Sequence, residues 1–329
     1  MDVHHKPKRL RTQGVVKKMK TAARQEKIDF GGGLAYTFVF YAGTQRMPSH
    51  NLAHITIDDL DILGYSVAGE ETVIAIPPLD VCFDIGKSPD QLVSINHVLL
   101  THGHMDHAAG IAYYLSHRKF CGQSEGTVLT PPSTIEPLKQ ILDGWGRLDG
   151  SRIPAKLVPV RPGDEYRIKP NLIARVFPTK HTRDAVGFCV IETRKKLKPE
   201  YAELTGPQLV ALKKQGIAID TPVEIPLVSY LGDTQYVDFS QLEYVSKSKI
   251  LLAECTFFAD EHTERADAGR HMHIDELAPL LERMQNEHII ITHLSLRTGV
   301  GEAKRMLRQR LPEEVYKKMT VLMDRKNLV

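Results

Sequence analysis

Six consecutive residues, His102-Gly103-His104-Met105-Asp106-His107, hold three imidazoles and one carboxylate. Imidazole nitrogen and carboxylate oxygen are the donors that Zn²⁺ and similar borderline divalent cations take. The apolar run His97-Val98-Leu99-Leu100-Thr101 before them reads as a buried strand, and residues 108–118 read as the helix that follows. The motif therefore falls in a strand-to-helix loop, where several side chains can converge on one point. Three further apolar, β-prone runs end at or just before a donor. Arg175-Val176-Phe177 leads through Pro178-Thr179-Lys180 to His181, Leu227 to Gly232 leads to Asp233, and His288 to Thr292 leads to His293. Donors at the carboxyl ends of several buried strands collect on one sheet edge. Taken singly, His181 also reads as a surface loop residue and Asp233 as a turn or helix cap. With the dense motif they form one constellation, suited to a metal centre.

The order His-x-His-x-Asp-His, then His, then Asp, then His resembles the metallo-β-lactamase fold superfamily. That resemblance implies that His102, His104 and His181 hold one metal, that Asp106, His107 and His293 hold a second, and that Asp233 bridges both. Two such cations share and acidify a water and clamp an in-line displacement at phosphorus, with Asp106 close enough to accept its proton. Further blocks narrow the resemblance: Gly64-Tyr65-Ser66-Val67, Phe83-Asp84-Ile85-Gly86, Leu231-Gly232-Asp233-Thr234, Ala253-Glu254-Cys255-Thr256-Phe257, Arg270 to Leu277, and Ile289 to Arg297. Together these residues, from about Gly64 to about Arg297, resemble ribonuclease Z, the tRNA 3′-processing endonuclease, in its short plant-like form.

The resemblance implies two Zn²⁺ (with Mn²⁺ as an alternative), precursor tRNA as partner, and a chain that works as a homodimer. It also makes His271 the acid that protonates the leaving 3′ oxygen, since a leaving alkoxide is poor without a proton. His273 competes for that role, because two positions apart at a helix start the rings cannot both face the metals. Glu254 reads either as the carboxylate that orients the His271 ring or as an ordinary strand-end carboxylate. Three departures from the family pattern stand out: Leu294 and Thr298 stand where Phe and Tyr are usual, Arg270 stands where Gly is usual, and the glycine-rich N-terminal turn of bacterial members is missing.

Between His181 and Asp233 the family carries an RNA-gripping arm. Here that interval holds Arg194, Lys195, Lys196 and Lys198, then Gly206-Pro207, then Lys213 and Lys214, against Glu200 and Glu203. Cations on a protruding segment neutralise phosphates and release counterions, and tRNA is read largely by shape and backbone. The expectation is a short basic arm over about residues 194–216, with a solvated charged hairpin as the other reading.

The elements that must position these groups alternate between strand and helix, which predicts an α/β architecture, a four-layer αβ/βα sandwich. The chain has 329 residues and is 42% hydrophobic, ample for a large core. The donors span residues 102 to 293 and must converge, so one catalytic domain is expected over 61–329. Before it come a basic tail, 1–28, and an extension of unassigned role, 29–60, that includes one or two strands around Tyr36-Thr37-Phe38-Val39-Phe40-Tyr41. The tail holds nine Lys/Arg against two Asp/Glu; the remainder holds 34 against 38 and is slightly acidic. The tail reads as a disordered solubilising end, a nuclear localisation signal or an RNA contact. No apolar stretch suits a secretory signal or a bilayer span, and no serine in the first 28 residues supports a transit peptide. Cys82, Cys121, Cys189 and Cys255 have no Cys-x-x-Cys spacing and read as reduced core residues. These features predict a cytoplasmic protein, or a nuclear one in a eukaryote. A small-molecule hydrolase of the same fold, acting on a phosphodiester, thioester or lactone, and a non-catalytic RNA-binding subunit are the competing functions.

Overall fold

The structure, a computed structural model, describes residues 51–328 and the backbone of two earlier strands. Those strands, β1 (Ala23–Ile28) and β2 (Tyr36–Tyr41), pair antiparallel with Ala23 opposite Tyr41, inside a unit that spans 1–48. The basic stretches at 6–11 and 17–20 lie outside the described residues.

The second unit, 49–329, contains two seven-stranded sheets, and in each the strand order is the sequence order. The first sheet runs β3 (Ala53–Ile57), β4 (Leu60–Val67), β5 (Glu71–Ile76), β6 (Val81–Phe83), β7 (His97–Leu99), β8 (Thr127–Thr130) and β9 (Lys156–Pro159). The second runs β10 (Glu165–Lys169), β11 (Leu172–Pro178), β12 (Val186–Leu197), β13 (Asp220–Tyr230), β14 (Ile250–Glu254), β15 (His288–Thr292) and β16 (Met319–Val321). Residues 53–57, expected in the extension, are the first strand of the catalytic unit, because Ala53 and Ile57 belong to its core.

In each sheet antiparallel strands come first and parallel strands last: β6 to β9 are parallel, as are β13 to β16. Parallel strands buried on both faces need continuous apolar runs, which is what β14 (Ile-Leu-Leu-Ala) and β15 (Ile-Ile-Ile) supply. Alternate residues feed different layers. Ile74, Ile76, Phe83, Leu99 and Leu129 of the first sheet meet Val176, Phe188, Val228, Leu252 and Ile290 of the second.

Residues of opposite parity face helices. Val73, Val98 and Val128 pack under α2 (Ile111–Phe120) and α3 (Pro132–Leu148), the two helices that follow the short α1 (Met105–Ala108). On the second sheet, Leu251, Ala253, Ile289 and Ile291 face the helical layer. That side carries α5 (Glu243–Ser246), α6 (Thr263–Gly269), α7 (Ile274–Arg283), α8 (Val300–Arg310) and α9 (Glu313–Tyr316); an outlying α4 (Gly206–Lys214) joins β12 to β13. The result is the four-layer αβ/βα sandwich.

Two sequence expectations need correction. The helix expected over 108–118 is broken between α1 and α2 at Gly110, where a Cβ would stand 2.5 Å from the Ser88 backbone nitrogen. The close approach of the 86–88 turn requires glycine there. Of the four free cysteines, Cys82, Cys189 and Cys255 are buried, whereas Cys121, at the end of α2, is exposed. Among the described residues no helix is long and apolar enough to cross a membrane.

Candidate active site

The carboxyl ends of the parallel strands in both sheets meet at one edge of the sandwich, and the donors gather there. His102, His104, His181 and Asp233 offer ligand atoms within 4.8 Å of one another, as do Asp106, His107 and His293, and as do Asp233, His271 and His293. Asp233 lies between the groups: its Oδ2 is 3.8 Å from His102 Nε2, 3.7 Å from His181 Nε2, 3.2 Å from His107 Nε2 and 3.3 Å from His293 Nε2. Asp106 Oδ2 is 3.7 Å from His107 Nε2 and 3.6 Å from His293 Nε2, and accepts a bond from the Gly69 backbone N–H at 2.9 Å. His104 Nδ1 stands 3.0 Å from His181 Nε2. Gly232 makes the bend into Asp233, with φ of +62° and no room for a Cβ, which would meet Thr101 Cγ2 at 2.9 Å.

Each ring is set by what its other nitrogen meets. His107 Nδ1 donates to Asp84 Oδ2 at 2.7 Å, and a carboxylate only accepts, so Nε2 is left with its lone pair toward the cluster. Asp84 also accepts from the Thr101 backbone N–H and the Tyr230 hydroxyl, each at 2.8 Å, and from Thr101 Oγ1 at 3.0 Å. Thr101 Oγ1 has then spent its proton and accepts from His102 Nδ1, 3.0 Å away, which frees His102 Nε2. The second sheet repeats the device. Glu254 accepts from the Thr234 N–H at 2.6 Å and from the hydroxyl of Thr256, whose oxygen lies 3.0 Å from His293 Nδ1. His181 Nδ1 donates to the Arg270 carbonyl at 3.1 Å.

Arg270 occupies the left-handed region, with φ of +56°, which explains why glycine would suit the position. Its guanidinium bonds the His181 carbonyl at 2.9 Å and so offsets that cost locally.

His271 and His273 separate cleanly. His273 caps α7: its Nδ1 accepts from the Asp275 N–H, and its Nε2 donates to the Ala259 carbonyl. His271 faces the cluster, with its ring 4.7 Å from that of His181 and stacked 5.2 Å from that of His293. Its Nδ1 donates to Glu254 Oε1 at 3.2 Å, so its Nε2 is the atom left to serve a substrate. Burial works against the imidazolium, but the charge and hydrogen bond of Glu254 outweigh it and raise the His271 pKa to about 9. Cations bound among the neighbouring donors would draw it down from there. Burial also opposes ionisation of Asp106, yet the His293 and His107 rings beside it, when protonated, hold that carboxyl at about 2.

Among the described residues seven buried side-chain atoms have no hydrogen-bond partner, and two of them are His102 Nε2 and Asp233 Oδ1. Leaving such atoms unpaired is costly, and both belong to the donor cluster. Borderline divalent cations fit this set in donor type and in orientation.

The expected RNA-binding residues are not part of this edge. Arg194, Lys195 and Lys196 lie on the distal part of β12 and Lys198 just beyond it, while Gly206 and Pro207 open α4. Their partner strand β13 starts at Asp220 and ends beside the cluster at Tyr230, about 30 Å away at the usual strand rise. Arg194 is paired with Glu192 at 2.7 Å and Lys213 with Asp220 at 3.1 Å. Sequence reasoning missed Asp84, Thr101, Thr256 and Tyr230. The one signal available was that Thr101 directly precedes the first ligand.

A two-sheet sandwich with this donor set at the strand ends defines a metal-dependent hydrolase. Residues 83–294 match the family model described as a beta-lactamase superfamily domain. The chain is 33% identical over 250 residues to tRNase Z TRZ1 of Arabidopsis thaliana, covering 75% of this chain and 89% of that protein. It is 28% identical over 257 residues to the chloroplastic tRNase Z TRZ2 of the same plant, covering 77% and 73%. The metallo-beta-lactamase fold protein YhfI of Bacillus subtilis superposes with a TM-score of 0.52 at 16% identity, over 78% of this chain and 91% of that one. The chain belongs to the ribonuclease Z (tRNase Z) family of the β-lactamase superfamily.

Proposed function

We propose that this protein is an endoribonuclease that removes the 3′ trailer of precursor tRNA and leaves a 3′ hydroxyl on the tRNA. The observation that carries the reading is the pair of donor groups sharing Asp233, with His271 standing against both His181 and His293. His102, His104 and His181 would hold one cation, Asp106, His107 and His293 a second, with Asp233 between them. Zn²⁺ suits the imidazole-rich set best, with Mn²⁺ as the alternative. Bound there, the cations would supply Lewis-acid polarisation of the phosphoryl group and a water made acidic enough to react at neutral pH.

The chain's own residues do the rest. Asp106, ionised and held by the Gly69 N–H, accepts a proton on the attacking side. His271 presents Nε2 to the leaving 3′ oxygen and delivers the proton an alkoxide needs, while Glu254 orients the ring and favours its charged form. Arg194, Lys195, Lys196 and Lys198, with the helix start at Gly206 and Pro207, form a short arm that contacts RNA phosphates away from the cluster. The reading includes a cytoplasmic location and a homodimer, the latter checked by mass in solution.

A 3′-extended tRNA transcript tests the function. The prediction is a single cut near the mature 3′ end, a 3′ hydroxyl on the tRNA fragment, and loss of activity on chelation. An uncut transcript beside rapid hydrolysis of bis(p-nitrophenyl) phosphate would overturn it in favour of a small-phosphodiester, thioester or lactone hydrolase. The internally paired cations of the short arm are what favour that second reading.

A further inference from the structure

A groove leaves the donor cluster at His102. Its inner part is a cavity of about 220 Å³ lined by His102, Gly103, Pro131, Ser133, Thr134, Thr182 and Arg183. Its outer part, about 490 Å³, continues past Val160, Arg161 and Pro162. Ser133 and Arg183 line both parts. The outer volume falls in the range of about 300–1,000 Å³ typical of ligand sites.

The walls come from the start of α3, the segment after His181 and the turn after β9. Among the described residues none of the lining side chains has a hydrogen bond or ring contact with His271. The His271 and His102 rings each stand 4.7 Å from that of His181, and the groove starts at His102.

The two arginines are the chemistry of this groove. Both are exposed, and neither has an ion-pair partner among the described residues. Asp184 also lines the outer part, and the carboxylates nearest the arginines in sequence are engaged by other groups. Asp184 accepts from the Ser133 N–H at 3.2 Å and from its hydroxyl at 2.6 Å, which closes the amino end of α3. Asp184 also sits in the left-handed region, with φ of +56°, so these bonds turn it toward the helix. Asp164 Oδ2 accepts from the Arg161 backbone N–H at 2.8 Å. Two unpaired guanidiniums along a channel that starts at the reacting centre suit a run of phosphate groups, which arginine binds with paired N–H donors.

We propose that this groove binds the backbone of the RNA trailer, the strand that begins with the scissile phosphate, through Arg183 and then Arg161. The inference rests on the proposed function, in which His271 takes the 3′ oxygen of the tRNA body. The trailer hangs from an equatorial oxygen of the same phosphate, off the line between attacking water and leaving oxygen, and the groove that begins at His102 gives it a path away from the cluster. Recognition is of phosphates, with no base-reading pattern among the lining residues.

Two measurements on the metal-loaded full chain test it. The first is the affinity of a 5′-phosphorylated RNA hexamer against that of 5′-UMP, for the wild type, R161A/R183A and R161K/R183K. The wild type should hold the hexamer more tightly than 5′-UMP. R161A/R183A should lose about tenfold on the hexamer and flatten its salt slope by about 1.4, the value for two single-strand phosphates. The lysine pair should keep most of the affinity. Unchanged hexamer binding in the alanine variant, or a hexamer no tighter than 5′-UMP, would overturn the groove.

The second measurement is kcat/KM on precursors with six-nucleotide and one-nucleotide trailers. The alanine variant's defect should grow with trailer length; an equal defect on both would place the tRNA body in the groove and overturn the assignment. If the wild type cuts no precursor while hexamer binding behaves as expected, the proposed function fails and the phosphate groove stands. If precursors are cut and the alanine variant matches the wild type, the groove alone fails.

Discussion

The two sheets solve the same problem with different outcomes. Each places a buried carboxylate at the end of a parallel strand, Asp84 after β6 and Glu254 on β14, and each reaches a histidine after the neighbouring strand through a threonine hydroxyl. Each carboxylate also holds one histidine directly, His107 for Asp84 and His271 for Glu254. His107 is fully buried and has its other nitrogen 3.2 Å from Asp233. His271 is 17% exposed at the rim, and its other nitrogen is free to meet a substrate. The first sheet thus directs its carboxylate to two histidines of the donor cluster, His107 and, through Thr101, His102. The second divides its carboxylate between one such donor, His293, and a group that can carry a proton.

Of the variants outside His271, Asp84→Asn should produce the largest defect. The variant loses the charge that fixes His107 directly and His102 through Thr101, and partners of metal ligands are worth about 10–100-fold in affinity even singly. Metal content per chain should fall, RNA and bis(p-nitrophenyl) phosphate should be lost in parallel, and excess metal should restore both. Full occupancy with normal activity would mean the Asp84 network is dispensable.

Glu254→Gln should be milder and selective. Metal should largely remain, while RNA cleavage drops by about 10–100-fold. The pH profile gives the sign. A proton donor works while protonated, so cleavage falls as pH rises through its pKa. Glu254 raises that pKa, and removing its charge lowers it. The alkaline limb of RNA cleavage should therefore move to lower pH in Glu254→Gln, with no matching shift for bis(p-nitrophenyl) phosphate. An unmoved limb would remove Glu254 from the proton-donor unit.

The smallest effect is expected on the arm, which belongs to neither network. Replacing Arg194, Lys195, Lys196 and Lys198 with Ala should weaken precursor binding severalfold and flatten its salt dependence, by up to about 0.9 for each phosphate left without its cation. Arg194, already paired with Glu192, should contribute least. An equal loss on a small phosphodiester would make the segment structural.

The contrast between the sheets also marks what could be read from the chain. The expected donors that the structure gathers each follow an apolar run, and strand ends must share an edge. The sandwich followed from the same alternation. Asp84 did not announce itself: its partners are 17 and 23 residues downstream, and Tyr230 is 146 away, so only tertiary structure joins them. His273 and His271 were indistinguishable by spacing, and a cap hydrogen bond to the Asp275 N–H separates them. The place of the basic arm depended on which end of β12 and β13 it extends, a matter of strand direction that composition does not encode.

The division of labour is tested most directly at His271 by changing the leaving atom. A precursor tRNA carrying sulfur in place of the bridging 3′ oxygen departs as a thiolate, which needs no proton, whereas the natural substrate departs as an alkoxide, which does. His271→Ala, with metal content verified as unchanged, should cut the oxygen substrate more slowly by about 10²–10⁴-fold, the usual worth of a positioned acid, and the sulfur substrate at nearly the wild-type rate. An equal loss on both substrates, or a loss of bound metal, would contradict the account and return His271 to the metal-binding set.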